Sequence, residues 1–182
     1  MTSQGRQGFF SKFFAFLGES ANPIYFVPGN HDPRNAKVPA NARNIHGRRE
    51  NIGEFVVGGL GGSNITPFNT PFEISDEEAR KTLSALKSVD ILISHCPPFD
   101  TKCDVTYGGK HVGSKPVREF VETTTPKMVL CGHIHESRAT DELKRSKIIN
   151  PGSLLQGNYA VLNLQDEISV EPKKQSDWPS EE

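Results

Sequence analysis

Nowhere does this chain of 182 residues hold an apolar stretch approaching the roughly 18 residues needed to cross a bilayer, which excludes a membrane-spanning helix. Excess charge of one sign is missing too: 21 Lys and Arg stand against 22 Asp and Glu, for a formal net charge of −1. That balance argues against a nucleic-acid binder held by bulk charge, while leaving room for a small basic patch. Cysteine is scarce, with only Cys96, Cys103 and Cys131, an odd number at irregular spacing. A disulfide framework and a spaced zinc motif are therefore excluded, and a reducing, cytoplasmic setting is expected. The opening MTSQGRQGFFSKFFAFLG has the basic residues and apolar patch of a secretory signal, but Ser11 and Lys12 interrupt it and no A-x-A-like site follows, so secretion is not expected.

What is present suits one domain with a real core, expected over 1–172, with a polar tail over 173–182. Residues 9–17, FFSKFFAFL, put Phe9, Phe13, Phe16 and Leu17 near one helical face, widened by Phe10 and Phe14. Strands are expected at 24–28, 43–46, 54–58, 89–94, 127–131, 147–150, 159–164 and 168–172, the last two joined as a hairpin through Gln165, Asp166 and Glu167. Ser75 opens a Ser-x-x-Glu capping box for a helix reaching about residue 88, and Ser114 can cap another to about 123. The glycines of GGLGGSN (58–64) read as tight turns, and no Lys-Ser/Thr follows to make a phosphate loop. TPFNTPFE (66–73) is a proline-broken loop. Helices alternate with strands early and hairpins dominate late, which fits an α/β protein with a mixed sheet.

Three apolar runs end alike. IYFVP ends in Gly29-Asn30-His31-Asp32, VDILIS in His95, and KMVLC in Gly132-His133-Ile134-His135. Strand C-termini of an α/β sheet lie along one edge, where ligands bind, so groups 65 and 38 residues apart in sequence can meet. Imidazoles from His95, His133 and His135, the Asn30 carbonyl and the Asp32 carboxylate suit a first-row divalent ion such as Mn, Fe, Zn, Co or Ni. One histidine at a strand end is more often structural; four of six so placed are a pattern. Cys131, inside its strand, reads as a small buried hydrophobe. His46 and His111 fall in loops, where His111 could touch a substrate.

GNHD, SH and GHIH, in this order and spacing, resemble the motifs of the calcineurin-like metallophosphoesterase family, and NPGS (150–153) with GNYAVLNL (157–164) is similar to the closing segment of its small prokaryotic members. The likeness covers about residues 20–171. It implies a four-layer α/β/β/α sandwich, here N-terminally shortened, and two metal ions bridged by a water or hydroxide. By resemblance, Asn30, His95 and His133 are ligands of the second metal and His135 of the first. His31 contacts phosphate and assists the leaving group, and Asp32 orients His31. The implied reaction is hydrolysis of a phosphomonoester or phosphodiester, with a phosphorylated small molecule or phosphodiester as the partner.

The sequence departs from the family at its start. The family's Asp-x-His motif and the Gly-Asp-x-x-Asp motif that bridges the ions are absent, and Glu19 is the sole carboxylate in residues 1–28. Two divalent ions about 3.5 Å apart repel strongly without a bridging carboxylate. One ion on Asn30, His95 and His133 is therefore expected, and two only where missing ligands are supplied. Three explanations are open: a piece of a working phosphoesterase, a natural short form that binds without turnover, or a homo-oligomer or other assembly that completes the site. The alternative function is thus a non-catalytic module that binds a single metal or phosphate through a relic site.

Overall fold

The strand Ile91–Ser94 is apolar on both faces: Leu92 points to one cluster of buried side chains, and Ile91 and Ile93 to another. Its neighbours in sheet order repeat the alternation, Val129 against Met128 and Ile148 against Ile149. A sheet of such strands has to be covered on both sides. The computed structural model, which describes residues 12–19, 23–35, 37–165 and 168–177, shows how.

Helix α1 (12–19) precedes a parallel pair, β1 (Ile24–Phe26) and β2 (Ala42–Asn44). β3 (Arg49–Ile52) and β4 (Phe55–Leu60) form a hairpin, and β5 (Ser63–Asn64) pairs with β6 (Glu73–Ile74). Then come α2 (Asp76–Leu86), β7 (Ile91–Ser94), α3 (Lys115–Thr124) and β8 (Met128–Leu130). β9 (Ala139–Leu143) and β10 (Ser146–Asn150) are antiparallel, as are β11 (Asn158–Leu164) and β12 (Ile168–Lys174). The six-stranded sheet has the order β3-β4-β7-β8-β10-β9, with β4, β7, β8 and β10 parallel. On one face lie α2 and α3, through Leu83, Leu86, Val117, Phe120 and Val121. On the other lie Tyr25 and Val27 from β1 and the loop after it, with Ala160, Leu162 and Val170 from β11 and β12. Phe14 of α1 covers the outside of β1 and β2, its ring 4.4 Å from that of Phe26. Helices, sheet, strand pairs and helix make the α/β/β/α sandwich. Among the described residues no helix is long and apolar enough to cross a membrane.

Several local expectations change. Phe16, expected on the packed face of α1, is 66% exposed, because that face centres on Phe14 and the residue two on points away; Phe9 and Phe10 lie outside the described residues, as do Asp166, Glu167 and 178–182. The edge strands β3 and β9 carry charges such as Arg49, Glu50, Asp141 and Glu142, which mask their pattern while protecting the edges. β12 continues to Lys174. Of the glycines read as turns, Gly58 and Gly59 lie inside β4: a Cβ on Gly59 would sit 2.6 Å from the Ile45 carbonyl oxygen. There glycine serves close approach of two backbones.

The long loop 96–113 is pinned by one fully buried carboxylate. Asp104 accepts the N–H groups of Asp100, Thr101 and Gly113 at 2.9–3.0 Å, and His111 Nδ1–H at 2.6 Å. Because a carboxylate accepts only, the Nδ1 proton of His111 is fixed. This hydrogen bond, with the charges of Asp104 and Asp100, raises the His111 pKa.

Gly59→Ala should lower stability by about 2 kcal/mol or more through this backbone clash, whereas Gly108→Ala, whose Cβ would meet only Thr106 Oγ1 at an ordinary 3.9 Å, should cost about 0.5 kcal/mol or less, both read by denaturant unfolding. The charged His111 contribution is complete below the ordinary histidine value of about 6.5 and fades as pH climbs through its raised folded value. Melting temperatures measured across that window should fall in wild type by an increment that His111→Gln lacks.

Candidate functional site

β7 and β8 lie side by side in parallel, so the residues after them leave the sheet together. The ladder continues past the strand ends: His95 N–H donates to the Leu60 carbonyl (2.9 Å), and Gly132 N–H donates to the His95 carbonyl (3.1 Å). His95 and His133 are thereby brought side by side, with ring centroids 4.8 Å apart and the rings tilted at 58°. From the loop after β1, Asn30 Oδ1 reaches within 3.1 Å of His95 Nε2. Three segments distant in sequence thus bring one amide and a second imidazole up against the His95 ring.

Each approach has a local cause. Gly29 has no positive φ; it is required because a Cβ there would stand 2.8 Å from His95 Cε1. Its N–H donates to Asp32 Oδ2 at 2.8 Å, closing the turn that carries His31. Gly132 has open space around it, and the sharp turn falls instead on His133, at φ 65°. A non-glycine residue held in that region stores local strain, a feature that gathers at functional sites. Asn150, almost wholly buried at the end of β10, donates through Nδ2 to the Ile134 carbonyl at 2.8 Å, supporting the loop that bears His133 and His135. Asn30 is held in turn by Thr70, whose Oγ1 accepts from Asn30 Nδ2 at 3.2 Å. The roles of Asn150 and Thr70 are not visible in the sequence beyond one signal, a polar residue closing an apolar strand in KIIN.

Burial pulls the His95 pKa down to about 3, helped by the charges of His133, His135 and His31. His133 is also lowered, by burial first and then by His135 and His31, against an opposing pull from Glu136. Both rings are neutral at physiological pH and keep a lone pair. His31 and His135 are exposed but close enough for their charges to be felt in the cluster. Cys131 is buried, with its thiol donating to the Ile149 carbonyl at 3.2 Å.

Among the described residues, no three His, Cys, Asp or Glu side chains converge on one cation position. The converging donors are two imidazoles and an amide oxygen. They do fit part of an ion's coordination sphere: two donors cis on an octahedral ion, each about 2.1 Å from it, lie about 3.0 Å apart, close to the 3.1 Å between Asn30 Oδ1 and His95 Nε2. Neutral nitrogen and oxygen donors suit a borderline divalent ion. Beside the cluster, an apolar groove of about 320 Å³ opens between the six-stranded sheet and β11–β12, lined by Val27, Ile93, Leu130, Ile149, Ala160 and Leu162.

The other histidines serve elsewhere. His46 Nδ1 accepts the Gly61 N–H at 2.9 Å and ties β2 to the end of β4, with a pKa lowered chiefly by burial. His111 borders a separate groove with Asn64, Phe99 and Lys115.

Comparison with known proteins bears on the fold and the family. An uncharacterised protein of Methanocaldococcus jannaschii, MJ1162, is 38% identical over 137 residues, which are 70% of this chain and 63% of that protein. The chain thus spans less than two thirds of that relative's length. The crystal structure of TT1561 of Thermus thermophilus overlays with a TM-score of 0.67 at 21% identity, over 96% of this chain and 82% of its own. A further crystal structure reaches a TM-score of 0.77 at 23% identity, over 94% of this chain and 73% of its own. Likeness at this identity speaks for the fold. The sequence family described as metallophosphoesterase, calcineurin superfamily, matches residues 6–174. Since that match runs through nearly the whole chain, the chain belongs to the calcineurin superfamily of metallophosphoesterases, a family of metal-dependent phosphoester hydrolases.

Proposed function

We propose that the protein is a metal-dependent phosphoesterase that acts on a phosphomonoester or phosphodiester, with Asn30, His95 and His133 holding one divalent ion. The observation that carries this is the meeting of Asn30 Oδ1, His95 Nε2 and the His133 ring at the C-terminal edge of the sheet. When bound there, the ion would supply charge to polarise a phosphoryl oxygen and acidify water. The chain's residues do the rest. Burial keeps His95 and His133 unprotonated, so their lone pairs remain available. His31, exposed beside Asn30, contacts the phosphoryl oxygens and hands a proton to the leaving group. Asp32, held by the Gly29 N–H, keeps the turn that presents His31. His135 stands at the rim as a ligand for a second ion, which requires carboxylates that the described cluster does not bring together.

That shortage favours one other reading: a non-catalytic module that takes up one ion and a phosphate without turnover. Two measurements separate the readings. Chromogenic phosphodiester hydrolysis with added Mn²⁺ should drop about 100-fold or more in His95→Ala, since an uncompensated loss of one ligand removes the ion's charge from the reaction; equal rates in the two proteins reject the enzyme reading. Metal analysis after dialysis should find about one ion per chain, and none in the double variant His95→Ala, His133→Ala. Two firmly held ions would reject the single-ion site.

A further inference from the structure

Asn30 is a carboxamide, and only its oxygen can serve a cation; rotated by half a turn it would present an NH₂ group. Resting on the single-ion reading above, we propose that Glu73, acting through Thr70, is a positioning residue that locks the Asn30 oxygen toward His95.

The chain of hydrogen bonds has one direction. Glu73 sits at the start of β6, in a nest of donors: Thr66 N–H at 3.0 Å, Thr66 Oγ1–H at 2.7 Å, Thr70 N–H at 2.9 Å and Thr70 Oγ1–H at 2.7 Å. Those bonds hold its carboxyl at a pKa of about 2, so it is ionised and accepts only. The Thr70 hydroxyl proton must therefore point at Glu73. The lone pair left on Thr70 Oγ1 accepts from Asn30 Nδ2 at 3.2 Å. With the NH₂ end engaged, Oδ1 is left facing His95 Nε2 at 3.1 Å. A flipped amide would turn its oxygen toward Thr70 Oγ1, whose proton is already committed to Glu73, so two acceptors would face each other and the NH₂ would replace the oxygen beside His95.

The backbone reinforces the arrangement. Phe72 N–H donates to the Asn30 carbonyl at 2.9 Å, and Ser63 N–H to the Phe72 carbonyl at 3.1 Å. Loop 66–73 is thus fastened to the Asn30 turn at two levels, main chain and side chain. Nothing in the local sequence of Asn30 could do this, because Thr70 is 40 residues away.

The test is Mn²⁺ affinity by titration calorimetry for wild type, Thr70→Val, Thr70→Ser and Glu73→Gln, together with NMR of the Asn30 side-chain amide in the metal-free proteins and a thermal unfolding curve for each. Thr70→Val keeps the shape and removes the hydroxyl, and should weaken Mn²⁺ binding about 10- to 100-fold, the usual effect of losing an outer-shell partner. Thr70→Ser restores the hydroxyl and should restore affinity. Glu73→Gln, which keeps one acceptor oxygen, should fall between. The metal-free amide signals of Asn30 should move in Thr70→Val and return in Thr70→Ser. Wild-type affinity in a folded Thr70→Val overturns the proposal. If the wild type takes up no Mn²⁺, the single-ion reading falls and the amide signals decide alone: unchanged signals in Thr70→Val overturn the positioning role, and shifted signals rescued by serine sustain it.

Discussion

The peptide of His95 is stitched on both sides, donating to the Leu60 carbonyl and accepting from the Gly132 N–H. These two bonds extend the sheet's ladder beyond the strands themselves. They leave the chain no freedom to splay where it would otherwise become loop, and so two imidazoles are held at 4.8 Å. Strand ends in open α/β sheets are natural ligand sites because side chains from separate strands converge there. Here the convergence is made rigid by main-chain bonds, and side-chain bonds from Asn150 and Thr70 then set the details.

Much of the fold was legible because its central strands are buried on both faces. Runs such as ILIS and MVL have to be covered by something, and each gives way within a few residues to a histidine. That abrupt change made Asn30, His95 and His133 readable as a set. The edges were less legible: in β3 and β9 charge hides alternation, since an edge strand faces water and needs protection from pairing. Glycine was misleading for a physical reason. A glycine-rich stretch reads as a turn, but Gly59 is in a strand because another backbone lies against it. The supports of the site were hidden altogether. Thr70 and Asn150 form hydrogen bonds to residues 40 and 16 positions away, and Glu73 bonds to Thr70 rather than to the site itself; such bonds leave no periodicity to detect.

The electrostatic character of the cluster follows from burial. Neutral rings are good donors, but they bring no negative charge with them. An ion bound there would rely on its surroundings, on water and on the substrate's own phosphate for compensation. Under the single-ion reading proposed above, affinity for a cation and affinity for a phosphoester would be mutually dependent, each supplying the charge that the other lacks. It also explains why histidine charge elsewhere matters: His31 and His135 stand near enough that their protonation is felt by His95 and His133.

Loop 96–113 is gathered around the Asp104 carboxylate, and Lys102, Cys103 and Val105 tie it further to Asp141, Asn150 and Ser137. The stretch that includes the almost fully exposed Tyr107 carries little of the sheet's weight. The exposed tip, residues 107–110, carries none of these ties, so its length and chemistry are the loop's freest part. Descendants of one scaffold could lengthen or rewrite that tip alone, with the strands beneath none the wiser.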